Sequence, residues 1–132
     1  MKTAVDEVYS ALAGNFRGDL LCPDSPGYTD AKRIWNGMVA RTPGLIARCA
    51  DVADIQSAVR AARECDVVTA VRCGGHSLAG HSTCDGGLVI DLALLRQIDE
   101  EGISEVWVDM RYDTEGLWIT INERLRTASG KY

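Results

Sequence analysis

The chain has no surplus of positive charge. Its 14 Lys and Arg are outnumbered by 19 Asp and Glu, which leaves a formal charge of −5. The basic residues are scattered rather than clustered. A surface for nucleic acid or anionic membrane needs grouped Lys and Arg to meet phosphates, so neither partner is expected. No apolar run reaches the length of a bilayer span. A secretory signal is not expected either. In "MKTAVDEVYSALAG", Asp6 and Glu7 interrupt the place an apolar core would take. Without an export signal, the odd count of 5 cysteines implies reduced thiols and a cytoplasmic protein. Internal repeats and low-complexity tracts are absent. The remaining composition is ordinary. At 132 residues, 46% hydrophobic and 25% charged, the chain suffices for one domain with a modest core.

What is present organises into short elements. Val5, Val8 and Leu12 recur at the spacing of an amphipathic helix. "CPDSPGYT" (Cys22–Thr29) holds two of the 3 prolines and reads as a connector. "RIWNGM" follows, then the turn "RTPG". "GLIARCA" (Gly44–Ala50) is a short apolar run that predicts a strand. Asp51 has the chemistry of an N-cap, with Asp54 as a weak capping-box partner. Val52, Ile55, Ala58, Val59 and Ala62 then predict a helix over Val52–Glu64. "VVTAV" (Val67–Val71) is β-branched and predicts a strand. These three elements form a β-α-β unit with parallel strands and a right-handed crossover. "LVIDL" (Leu88–Leu92) predicts a further strand. "VWVDM" and "LWITI" predict a hairpin across "RYDTEG", and the polar end "NERLRTASGKY" is expected to fray.

The stretch between the strands at Val71 and Leu88 concentrates the chemistry. It holds Cys73, His76, His81 and Cys84 among several glycines. Cys and His suit zinc, but a gap of four residues between the histidines is far shorter than structural zinc units use. Cys73 and His76 could form a thiolate–imidazolium pair, yet no third, orienting residue is evident. A phosphate loop accounts for more residues. Gly74 and Gly75 directly after a strand let backbone N–H groups approach a diphosphate, and Arg72 could add charge-assisted contacts. The Gly-Lys-Ser/Thr of a Walker loop and the G-x-G-x-x-G of a dinucleotide fold are both missing. A plain tight turn carrying two surface histidines remains an alternative on the residues alone.

The run "VRCGGHSLAGHSTCDGGLVIDLALL" resembles the FAD-linked oxidases of the berberine-bridge-enzyme type, whose flavin domain is called PCMH-type. "YSALAGNFRGDLL" and "IWNGMVARTPGLIARCADVADIQSAVRAARE" are similar to bacterial members, and the likeness runs from Val5 to Ile98. The resemblance implies that the loop wraps the diphosphate of FAD. The cofactor-binding residues it implies are Arg72, Cys73, Gly74, Gly75, His76, Ser77 and Leu78, with Ser82 and Thr83 further along. It also implies a covalent bond from His76 to the flavin 8α carbon. His81 is read as a bystander and Asp91 as a local cap. Cys73 departs from the family, which carries Gly or Ser there. No cysteine here matches the second attachment site of bicovalent members.

The expected fold is therefore α+β: a small mixed sheet with a β-α-β unit and helices packed on one face, the first subdomain of a PCMH-type domain. Residues 1–98 are expected to form that partial FAD-binding domain. Residues 99–132 form a divergent tail. The function expected is an FAD-binding module of an FAD-dependent oxidase, weakly active or inactive alone. A small-molecule substrate enters only if a missing domain is supplied, and no catalytic residue is assigned. The alternatives are a non-enzymatic remnant or interaction protein and, more weakly, a small zinc-binding protein. Trp35, Trp107 and Trp118 are expected in core or edge packing rather than in flavin stacking.

Overall fold

The computed structural model describes residues 1–95, 103–113 and 116–125. They fall into two units, Met1–Arg96 and Gln97–Tyr132.

In the first unit, α1 (Ala4–Leu12) begins at a capping box between Thr3 and Asp6. A short strand β1 (Asp19–Leu21) and a single helical turn α2 (Tyr28–Ala31) follow. Then come β2 (Leu45–Arg48), α3 (Val52–Glu64), β3 (Thr69–Arg72) and β4 (Leu88–Asp91). The sheet order is β1-β2-β4-β3. β1 is antiparallel to β2, while β2, β4 and β3 are mutually parallel. The sheet is thus mixed and the fold α+β, as expected. The predicted β-α-β strands are parallel but not neighbours. β4 lies between them, with Ile46 opposite Val89 and Ala70 opposite Val89 on its other side. The reason is burial. "LVID" is buried at every position, and a strand that apolar is most stable with a partner on each side.

Alternation along β2 and β4 sorts side chains between two cores. Leu45, Ala47, Leu88 and Ile90 face α1 and α3, where they meet Val8, Leu12, Ala58, Ala61 and Ala62. Ile46, Val89 and Ala70 point to the opposite face and pack against Tyr28, Ala31 and Cys84. The predicted helix Val52–Glu64 forms over that same span. Asp51 caps it, accepting the Asp54 N–H at 2.9 Å. Asp54 does not complete the capping box. Its carboxylate turns away and accepts the N–H groups of Arg17, Gly18 and Ala50, each at 2.9 Å. Three donors offered by the incoming β1 segment and the β2–α3 turn outcompete one local donor.

In the second unit, β5 (Ile103–Asp113) and β6 (Gly116–Leu125) pair antiparallel, with Asp113 opposite Gly116. This is the predicted hairpin, with longer strands than "VWVDM" and "LWITI". The side chains of Trp107 and Trp118, and the end after Leu125, lie outside the described residues.

Candidate functional site

The loop leaves the C-terminal end of β3 at Cys73 and re-enters the sheet at Leu88. In parallel sheets this is the end where ligands gather, since loops there are free to shape a site. Three backbone positions set the loop's form. Gly75, Gly80 and Gly86 have φ of 68°, 77° and 65°, values that a side chain would strain. A Cβ on Gly80 would also stand 2.8 Å from Val39 Cγ1.

The residues from Ile34 to Thr42 act as a strap across this loop. The Trp35 N–H donates to the Gly75 carbonyl at 3.0 Å. Asn36 Nδ2 donates to the Leu78 carbonyl at 2.9 Å. Arg41 Nη1 donates to the carbonyls of Gly80 and Thr83 at 2.9 and 3.0 Å. At the strap's end, the Thr42 N–H meets Asp85 Oδ1 at 2.7 Å and the Thr42 carbonyl accepts from Gly86 at 2.8 Å. So carbonyls of the loop are held by the strap. The N–H groups of Gly74, Gly75, His76, Ser77 and Leu78 donate to no acceptor among the described residues. A run of unpaired backbone donors at a glycine turn is an anion-binding arrangement.

The nine residues named from the sequence divide into two groups. Cys73, Gly74, His76 and Leu78 are exposed on the rim, and Ser77 is half-buried. The His76 ring lies over Gly74, where an added Cβ would come within 2.5 Å of Cδ2 and 2.8 Å of Nε2. Gly74 is thus the seat of the imidazole. Arg72, Ser82 and Thr83 lie on the inner side. Arg72 Nη1 donates to the Ala31 carbonyl. Arg72 Nε, Ser82 Oγ and Thr83 Oγ1 are buried without a hydrogen-bond partner among the described residues. All three residues lie in one closely packed cluster with Ala31, Pro43, Ile46 and Val89. Gly75, itself buried, joins the rim to this interior.

The cysteines and histidines of the loop do not converge. Cys73 and His81 are exposed, whereas Cys84 is buried, with its thiol 3.6 Å from the Leu88 carbonyl. Burial, foremost, raises the Cys84 pKa, which opposes the thiolate a metal would need. Among the described residues no group of three or more His, Cys, Asp or Glu could hold a metal ion. Asp91 is buried and accepts the Ala93 N–H at 2.9 Å, the local bond expected of it, with Arg48 Nε at 3.5 Å. Of the two placements expected for Trp35, core or edge packing, the core is excluded. The residue is 67% exposed, while its N–H donates to the Gly75 carbonyl.

The strap is what sequence reasoning missed. "RIWNGM" carried no signal of its own, and nothing local pairs Asn36 with Leu78 or Arg41 with Gly80. No described helix is long and apolar enough to cross a membrane.

Comparison with known proteins agrees with this geometry. The family model described as "FAD binding domain" matches residues 43–110, just over half of the chain. The chain is 38% identical to (R)-6-hydroxynicotine oxidase of Paenarthrobacter nicotinovorans over 84 residues, 64% of this chain and 18% of that enzyme. Its fold matches the crystal structure of 6-hydroxy-D-nicotine oxidase from Arthrobacter nicotinovorans with a TM-score of 0.60 and 33% identity, covering 76% of this chain and 20% of the other. Xylooligosaccharide oxidase from Myceliophthora thermophila C1 superposes with a TM-score of 0.58 and 27% identity, covering 83% and 21%. The chain therefore spans about a fifth of the length of the relatives it matches. A glycine loop with unpaired N–H groups at the end of a parallel β-strand and a family match through that same loop lead to one conclusion: the chain belongs to the FAD-binding domain family of FAD-linked oxidoreductases.

Proposed function

We propose that the loop from Arg72 to Leu78 cradles the diphosphate of FAD and that His76 is its covalent attachment point, in a module serving an FAD-dependent oxidase reaction. The observation that carries this reading is the set of N–H groups from Gly74 to Leu78 that have no acceptor among the described residues, in a loop whose Gly75, Leu78, Gly80 and Thr83 carbonyls are held by the strap. The residues present fit the group. The donors suit phosphate oxygens, and Gly74 leaves room for the His76 ring. His76 is exposed, so its imidazole can reach a partner outside the fold. FAD, when bound, supplies two-electron redox chemistry. The chain's own residues bind and orient it. Ser82 and Thr83 pack on the inner side beside Arg72, which is tied to α2.

Residues 1–98 form the flavin-binding part in this reading, and the tail 99–132 contains the hairpin of β5 and β6. A small-molecule substrate, an alcohol, amine or sugar-like carbon, is met only together with the further residues that the longer relatives have. No catalytic residue is assigned within this chain. Nucleic acid is not a partner, in keeping with the acidic balance. The 5 cysteines are all free thiols, which fits a reducing, cytoplasmic setting.

The test is the denatured intact mass of the chain expressed with ample FAD. The expected result is a gain of one flavin, mapped to the peptide containing His76 and lost in His76→Ala. A His76→Ala chain that carries flavin covalently as well as the wild type would overturn the attachment. A wild-type chain with no affinity for FAD, covalent or otherwise, would overturn the cradle.

A further inference from the structure

We infer that the backbone N–H of Trp35 aims the His76 N–H at the cofactor, so that the strap at Ile34–Trp35 positions a cradle donor without touching the ligand. The inference rests on the reading of the loop as an FAD cradle. In a planar trans peptide the C=O and the N–H of the next residue point in opposite directions. The chain has no cis peptide among the described residues. Holding one carbonyl therefore orients the N–H that follows it. The Trp35 N–H donates to the Gly75 carbonyl at 3.0 Å. The peptide that carries this carbonyl also carries the His76 N–H. With its C=O turned to the strap, it turns that N–H away from the strap.

The other strap bonds do not act on the cradle in this way. Asn36 and Arg41 hold the carbonyls of Leu78, Gly80 and Thr83, whose peptides carry the N–H groups of Ala79, His81 and Cys84. Within the cradle, the Leu78 N–H shares its peptide with the Ser77 carbonyl, which accepts the Gly80 N–H at 3.2 Å, a bond internal to the loop. Among the described residues, the His76 N–H is the cradle donor fixed from outside the loop. Gly75 is the residue where an outside grip matters most. Its φ of 68° is left-handed, half of the alternation that brings successive N–H groups to one side. Without a side chain it has the widest choice of backbone conformations. The strap packs on it where the bond forms: a Cβ on Gly75 would stand 3.5 Å from Ile34 Cα and 3.6 Å from Ile34 Cβ. The Gly75–His76 peptide is thus oriented before the ligand arrives, and FAD does not have to order it.

The experiment replaces the Trp35 amide with an ester by incorporating indole-lactic acid at position 35, which removes the N–H and keeps the indole. An ester also weakens the preceding carbonyl, but the Ile34 carbonyl accepts no bond from a described residue. Asn36→Ala is the reference, since it removes another bond between strap and loop without touching a cradle peptide. FAD affinity is measured by titration, and amide hydrogen exchange is followed at His76, Leu78 and Ile90 with and without FAD. FAD is expected to protect His76 and Leu78 in the wild type. The ester should bind FAD about threefold to tenfold more weakly. It should lose the FAD-dependent protection at His76 and keep that at Leu78. Asn36→Ala should stay within about twofold of wild-type affinity and keep both protections. Ile90 should remain protected throughout. Equal weakening by the ester and by Asn36→Ala would mean that the strap is a general support, and would overturn the inference. So would wild-type affinity in the ester with His76 still protected, or accelerated exchange at Ile90 in the ester, which would mark a bond that holds the fold rather than the loop. A wild type that binds FAD and leaves His76 unprotected would overturn the inference and leave the cradle standing. A wild type that binds no FAD would overturn both.

Discussion

Replacing Asp54 should cost this fold more than any other single surface-to-core polar change among those described. Asp54 is 2% exposed and accepts three backbone N–H groups that tie the β1 entry and the β2–α3 turn to α3. Hydrogen bonds to a charged acceptor contribute about 1.5–3 kcal/mol each, and a partly buried donor left without one costs a similar amount. Three such donors are only partly shielded, so Asp54→Ala should destabilise by about 3–5 kcal/mol. That is a large fraction of a small domain's stability, so the milder Asp54→Asn is the useful variant. It keeps one oxygen and presents N–H₂ to at least one donor, for a loss of about 1–3 kcal/mol. The assay is urea unfolding followed from pH 3 to 8. Burial alone would raise the Asp54 pKa, but the bonds from Arg17, Ala50 and Gly18 outweigh it and hold the carboxyl below its ordinary 3.8. A group with a lowered folded pKa stabilises fully above its unfolded pKa and loses that stabilisation as pH falls through the folded value. The gap between wild type and Asp54→Asn should therefore be constant above about pH 5 and close progressively below about pH 4. A gap under about 0.5 kcal/mol at neutral pH, or one that does not narrow in acid, would refute the reasoning.

Two further outcomes follow from the site and the thiols. Gly74→Ala places a methyl where the His76 ring lies, 2.5 Å from Cδ2, so flavin attachment at His76 should slow about tenfold or more for a change of under about 1 kcal/mol in stability. Time-resolved intact mass checks this, and an unchanged rate would mean the ring's seat does not matter. A thiol reagent added to the native chain should modify exposed Cys73 first. Cys49 and Cys84 should react only on unfolding, and Cys49 is pushed up to about 11, by burial and then by Asp54, Asp91 and Asp51. Peptide mapping of the labelled chain distinguishes them, and early labelling of Cys49 would contradict its burial.

Local physics determined much of this protein from sequence. The helix over Val52–Glu64 was legible because apolar spacing and the Asp51 cap act within a few residues. The strands "LIAR", "TAVR" and "LVID" were legible as β-branched or apolar runs, and Gly74, Gly75 and His76 as an unusual cluster directly after one of them. The tertiary structure alone decided how these parts meet. That β4 enters between β2 and β3 depends on burying "LVID" on both faces, which no single segment records. That Asp54 serves Arg17 rather than its own cap depends on where β1 arrives. Ser82 and Thr83 entered through the resemblance as residues further along the loop, and only the fold places them inward beside Arg72. The strap was invisible for the same reason. Arg41 reaches Gly80 and Thr83 across the fold, and hydrogen bonds between residues so far apart in the chain leave no spacing to read. The loop's residue types are a property of the sequence, and the direction its peptides face is a property of the fold.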